Sequence, residues 1–204
     1  RLELVNYSAA HGSLVIEDDF ENEFVYLQKP TPSLFGLAGG QNVVYLGTFS
    51  RLLLPSIRIS FMVLPPELSA LYRKKADQYN QTASKTEQIA LCQFIRDGHL
   101  AAQTRKLKRL YSVKLKALRS AVREVFGKDS QIQTGAAGTS LALTLSTTLT
   151  WQELQKKAQT NGLRLQLLRE APGKITLILS CSSMPVADFV PACKLLKNIS
   201  QIQN

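Results

Sequence analysis

The sequence predicts an α/β protein in two parts, a mostly parallel or mixed sheet followed by a smaller α/β unit. Three observations carry this. Short apolar runs at Ser13–Ile16, Val43–Leu46 and Arg58–Leu64 are joined by segments too long for tight hairpins. Leu107, Tyr111, Leu115, Leu118, Val122 and Val125 recur at steps of three or four, the stripe of one long helix. Beyond residue 140, alternating strand patterns and capped helical patterns succeed one another.

Taken in order, Arg1 to Ala10 has the pattern of a helix, with Gly12 placed for a left-handed C-cap. The first strand runs directly into an acidic cluster, Glu17, Asp18, Asp19, Glu21 and Glu23. Such a cluster either presents carboxylates to a ligand or forms a solvated loop. Gln28 to Gln41 holds Pro30, Pro32, Gly36, Gly39 and Gly40 and is expected to be loop. Its Gly-Gly pair does not match GxGxxG, so no dinucleotide site is expected. Pro65-Pro66 closes the third strand, and a helix is expected from Glu67 to Gln81. A longer helical region follows from Thr86 to Phe126, with Gly98 as a break. Ser140–Ser146 reads as a strand, and Thr150 with Glu153 opens a helix through a capping box to Thr160. Asn161-Gly162 ends that helix, Leu163–Leu168 and Lys174–Cys181 read as strands around an Ala-Pro-Gly turn, and Pro185 opens a final helix. A composition shift near residues 82 to 90 divides the chain into residues 1–85 and 86–204.

With 204 residues and 45% apolar content, the chain has ample material for a packed core. No apolar run approaches the roughly 20 residues needed to span a bilayer. The opening RLELVNYSAAHG lacks the layout of a signal peptide, so a cytoplasmic protein without membrane contact is expected. Cys92, Cys181 and Cys193 lack CxxC spacing and have apolar neighbours, which favours buried thiols over disulfides or metal ligands. With His11 and His99 as the sole histidines, a zinc site is unsupported.

The stretch VVYLGTFSRLLLPSIR, Val43 to Arg58, concentrates the chemistry. Thr48, Ser50, Arg51 and Arg58 follow the end of an apolar strand, where open α/β sheets place their ligands. Hydroxyls and forked guanidiniums there suit an anion such as a phosphate. The alternative is a pair of ordinary surface cations. A net charge of +10 makes contact with anions plausible without identifying nucleic acid. Arg105, Lys106, Lys108, Arg109, Lys114, Lys116, Arg119 and Arg123 on the long helix read either as a phosphate-following face or as a solvated one.

VIEDDF at Val15–Phe20, VVYLGTFSRLLLPSIRISFMVLPP at Val43–Pro66, and FIRDGHL followed by RKLKRLY between Phe94 and Tyr111 stand in an order and spacing that resemble the MocR-type subfamily of GntR transcriptional regulators. Members join a winged-helix DNA-binding domain to a domain with the fold type I architecture of pyridoxal-phosphate aminotransferases. The resemblance implies that this chain is the later part of that second domain: the second half of its large subdomain, then the small C-terminal subdomain. It also implies a homodimer, a small-molecule effector resembling an amino acid or the cofactor, and DNA contact through a winged-helix domain not present in this chain.

Carried over by position, Asp18 matches the aspartate that pairs with the pyridine nitrogen of pyridoxal 5'-phosphate. Thr48, Ser50 and Arg58 match positions around the cofactor phosphate, and Phe20 stands where tyrosine is usual. Arg51 stands at the Schiff-base lysine position. A guanidinium stays protonated at working pH with its lone pairs delocalised, so it cannot replace a lysine amine as nucleophile. Ile178 matches the position of the substrate-carboxylate arginine, and Gln103 and Ser140 replace histidines. The implied domain therefore binds a ligand noncovalently and does not transaminate; the alternative is an active aminotransferase fragment.

Overall fold

The computed structural model describes residues 1–19, 31–127, 130–134 and 138–200. These fall into two compact units, one up to Leu107 and the other from Lys108.

In the first unit, α1 (Leu2–Ala10) ends at His11, and Gly12 takes the expected left-handed conformation at φ 59°. Strands β1 (Val15–Asp18) and β2 (Val43–Thr48) pair in parallel, with Val15 opposite Val43 and Asp18 opposite Leu46. Strand β3 (Ser60–Val63) pairs antiparallel on the other side of β2, giving the expected mixed sheet in the order β1-β2-β3. The sheet buries Val43 and Val44 of its central strand. The proline- and glycine-rich segment, expected to be loop, contains a single helical turn, α2 (Leu34–Leu37). A local cap and a distant one explain it: the Ser33 hydroxyl accepts the Gly36 N–H at 3.0 Å. The Glu17 carboxylate accepts the N–H groups of Leu34 and Phe35 at 2.9 and 3.0 Å, a partner that local patterning does not reveal.

Proline at N1 starts α3 (Pro66–Lys75), which ends earlier than expected by tightening into a short 3-10 turn at Ala76–Gln78. Next, α4 (Lys85–Arg96) is capped by the Ser84 hydroxyl, which accepts from the Glu87 N–H. Gly98 at φ 76° breaks the chain as expected before α5 (His99–Phe126), within which the two units divide.

The second unit is an antiparallel sheet in the order β4-β5-β7-β6, built from Gln131–Thr134, Ser140–Ser146, Lys174–Ser180 and Gln166–Ala171 respectively. Strand β4 was illegible because QIQT offers one apolar residue. Strand β6 begins three residues later than the apolar run suggests, because Leu163 and Leu165 pack against the core from the preceding connection. Thr150 and Glu153 form the capping box of α6 (Trp151–Thr160), and α7 (Phe189–Ile199) follows a 3-10 turn. The core joins Leu115, Leu118 and Val122 of α5 to Leu143 and Leu177 of the sheet and to Phe189 and Leu196 of α7. The stripe read from the sequence of α5 is therefore its buried face.

Among the cysteines, Cys181 and Cys193 are buried as expected, but Cys92 is exposed. Its apolar neighbours in sequence face other directions of α4, whose sole buried residue is Leu91. Burial pushes the Cys193 thiol up to about 11, aided by Glu124, and burial likewise raises Cys181 against the pull of Lys114. An unfolded thiol ionises near 8.5, so between these values the folded state holds the proton and the unfolded state releases it. Stability from Cys193 is therefore intact below about pH 8.5 and is lost progressively as pH rises toward 11. Urea midpoints at pH 8 and pH 11 should show this fall, and Cys193→Ala should reduce it, leaving the part that Cys181 contributes; an equal fall in both proteins would contradict the assignment.

Candidate ligand site

The carboxyl ends of the parallel pair β1 and β2 position the site. Asp18 is the last residue of β1, beside Leu46, and Thr48 is the last residue of β2. Both line a cleft of about 1230 Å³ in the first unit, walled further by Phe49, Phe61, Gln88 and Cys92. The Asp18 side chain is exposed.

The acidic cluster has three different fates in its described part. Glu17 is 7% exposed and structural: besides capping α2, it receives Arg1 Nη1 at 2.9 Å in an ion pair. Asp19 accepts the Tyr45 hydroxyl at 2.7 Å. Asp18 is the member that meets the cleft. Glu21, Glu23 and Phe20 lie outside the described residues.

The loop after β2 is closed on itself. The Thr48 hydroxyl donates to the Ile59 carbonyl at 3.4 Å and accepts the Ser50 N–H at 3.2 Å. Phe49 N–H reaches the same carbonyl at 3.0 Å, while buried Leu52 anchors the loop. A 3-10 turn at Pro55–Ile57 ends in Arg58, whose φ of 47° is left-handed. For a residue with a Cβ this conformation costs about 1–2 kcal/mol and persists where the surroundings impose it, often at functional sites. Arg58 is exposed, and Ser50 and Arg51 are partly buried. The structure thus brings Asp18 and Thr48 into one cleft wall; Ser50, Arg51 and Arg58 stand on the loop leaving it and do not line that cleft.

Sequence reading missed the aromatic part of the wall. Phe61 lies 5.3 Å from Phe49 and 6.2 Å from Tyr45, centroid to centroid. A Cβ on Gly47 would fall 2.4 Å from the Phe61 ring, so glycine admits that ring against β2. The available signal was Gly47 within an apolar strand, a mark of close approach. Ile178 lies in β7 opposite Ala142 and lines a separate cavity of about 660 Å³ in the second unit, with Arg164. Gln103 lies in α5, and Ser140 begins β5 opposite Ser180.

The donor set fits one part of a pyridoxal-phosphate-like ligand and not another. A carboxylate at the end of β1 suits a protonated ring nitrogen, and hydroxyl and guanidinium donors on the next loop suit a phosphate. At position 51 the guanidinium supplies no amine for the aldehyde.

Comparison with solved structures defines the class. The multiple substrate aminotransferase from Thermococcus profundus superposes with a TM-score of 0.82 at 20% identity, over 98% of this chain and 51% of that one. The fold is that of the fold type I pyridoxal-phosphate transferases, a large-subdomain sheet followed by a small α/β subdomain. No family model matches the chain. In sequence it is 32% identical over 201 residues to the HTH-type transcriptional regulator YdeL of Bacillus subtilis, covering 97% of this chain and 43% of that protein. It is also 30% identical over 168 residues to the probable rhizopine catabolism regulatory protein MocR of Rhizobium meliloti, covering 82% of this chain and 34% of that protein. The chain belongs to the MocR-type GntR family and aligns with part of its aminotransferase-like domain. It spans less than half the length of either regulator.

Among the described residues no helix is long and apolar enough to cross a membrane, and no cluster of three His, Cys, Asp or Glu side chains could hold a metal.

Proposed function

We propose that this chain is the effector-binding and dimerisation part of a cytoplasmic transcriptional regulator, with residues 1–85 from the large subdomain and 86–204 forming the small one. Its parent contacts DNA through a winged-helix domain outside these residues and works as a homodimer. What supports the reading is Asp18 at the cleft end of β1 followed by the loop that carries Arg51 and Arg58, with Arg51 standing, by the family pattern, where a lysine is expected. Asp18 would hold the ring nitrogen of a pyridoxal-phosphate-like effector; Ser50, Arg58 and, once its hydroxyl turns from the Ile59 carbonyl, Thr48 would hold its phosphate. Phe20, Arg51 and the aromatic wall would complete the pocket. When bound to an enzyme, pyridoxal phosphate supplies an electron sink for amino-group chemistry; in this chain it serves as a noncovalent effector. Binding acts by shifting the population of two dimer states for which its affinity differs.

Equilibrium dialysis of pyridoxal phosphate against the full-length parent tests this. Saturable binding is expected, weakened roughly tenfold to a hundredfold by Arg58→Ala or Asp18→Ala, the usual loss for one charge-assisted hydrogen bond. Unchanged affinity in both variants would sink the site. A second reading, a working aminotransferase with its lysine supplied from elsewhere, is favoured by the retained carboxylate at Asp18; it requires keto-acid formation from an amino donor by the loaded parent.

A further inference from the structure

The charge of this chain is concentrated in one half. Residues 108–204 carry 14 basic and 5 acidic side chains, whereas residues 1–107 carry 11 and 10. The excess has a focus. Arg109, Lys116, Arg119 and Arg123 are all exposed on α5. At about 100° per residue they fall within an arc of roughly 80°, which flanks the buried stripe of Leu115, Leu118 and Val122 on its solvent side. From Arg109 to Arg123 the ridge runs about 21 Å at the 1.5 Å rise of a helix.

An ordinary solvated helix face mixes signs and gains from opposite charges three or four residues apart. Here Lys116, Arg119 and Arg123 follow one another at like-charge steps of three and four, which disfavour the helix. Among the described residues, no carboxylate forms an ion pair with any of the four. Two other cations of this unit are committed elsewhere: Lys114 donates to the Ser182 carbonyl at 3.0 Å and Lys197 to that of Val125 at 3.1 Å. The ridge is therefore a row of like charges on a helix whose other face is packed in the core, with no ion-pair partner among the described residues.

We infer that the ridge of Arg109, Lys116, Arg119 and Arg123 binds the phosphate backbone of double-stranded nucleic acid, independently of sequence. A duplex presents about one negative charge per 1.7 Å of axis, so a straight 21 Å cationic edge meets many phosphates at once. Single strands are bound by stacking bases on aromatic side chains, and none stands on this arc. Phosphate contacts of this kind position a protein on DNA without reading bases. The inference extends the regulator reading, giving the effector part its own hold on the DNA beside the binding site.

The test is fluorescence anisotropy of a labelled random-sequence duplex of about 20 base pairs titrated with the 204-residue chain. With about four phosphates engaged, affinity should fall roughly a hundredfold between 50 and 200 mM salt. Replacing all four residues by Glu should abolish binding while leaving the thermal melt cooperative. If that variant does not fold, single Gln substitutions serve, each lowering the salt slope by about one. The inference is overturned by no binding at 50 mM salt, by folded variants that bind as the parent does, or by preference for single-stranded RNA or an acidic polypeptide over the duplex. Failure here leaves the regulator reading standing; that reading fails separately if the full-length parent protects no operator sequence.

Discussion

Phe189→Ala is expected to destabilise the second unit by about 3–5 kcal/mol, the usual cost of removing a buried phenylalanine and leaving its cavity. The ring is 1% exposed and belongs to the cluster that joins α7 to α5 and the sheet. Because a domain is stable by only about 5–15 kcal/mol, much of the unit's stability rests on this side chain. Urea unfolding followed by far-ultraviolet circular dichroism measures it. A loss under about 1 kcal/mol would mean that the cluster closes over the gap, against the interior packing described here.

Arg51→Lys in the full-length parent is expected to change binding from reversible to covalent. A neutral lysine amine attacks the cofactor aldehyde where a guanidinium does not. After borohydride reduction, the variant should carry one cofactor mass at residue 51, with the parent carrying none. Transamination is not expected to follow, because by the proposed family correspondence Ile178 and Ser140 stand where an arginine and a histidine are usual. Absence of any adduct in the variant would show that residue 51 does not face the ligand.

Much of the fold was legible because its elements carry strong local signals. The capping box at Thr150 and Glu153 and the alternation of Ser140–Ser146 gave α6 and β5 with their observed bounds. Gly98 marked the break between α4 and α5 because a left-handed residue is needed there. Elements fixed from a distance were not legible. Helix α2 has a local Ser33 cap but takes two further N–H partners from a carboxylate seventeen residues away, and β4 depends on pairing with β5 rather than on its own composition. At the site, Asp18 could be separated from Glu17 and Asp19 only through the family pattern; spacing alone treated the three alike. The structure distinguishes them by partner, with Glu17 capping a helix, Asp19 holding the Tyr45 hydroxyl and Asp18 meeting the cleft. The left-handed backbone of Arg58 had no sequence signal, since arginine does not favour it.

On the proposed function, this family member holds its ligand in the cleft without covalent attachment. The direct measurement is to load the full-length parent with pyridoxal phosphate, treat it with borohydride, denature it and determine its mass. Cofactor is expected to bind saturably before denaturation and to depart completely afterwards. A cofactor that stays bonded to the denatured chain, at any lysine and together with turnover of an amino donor, would contradict it.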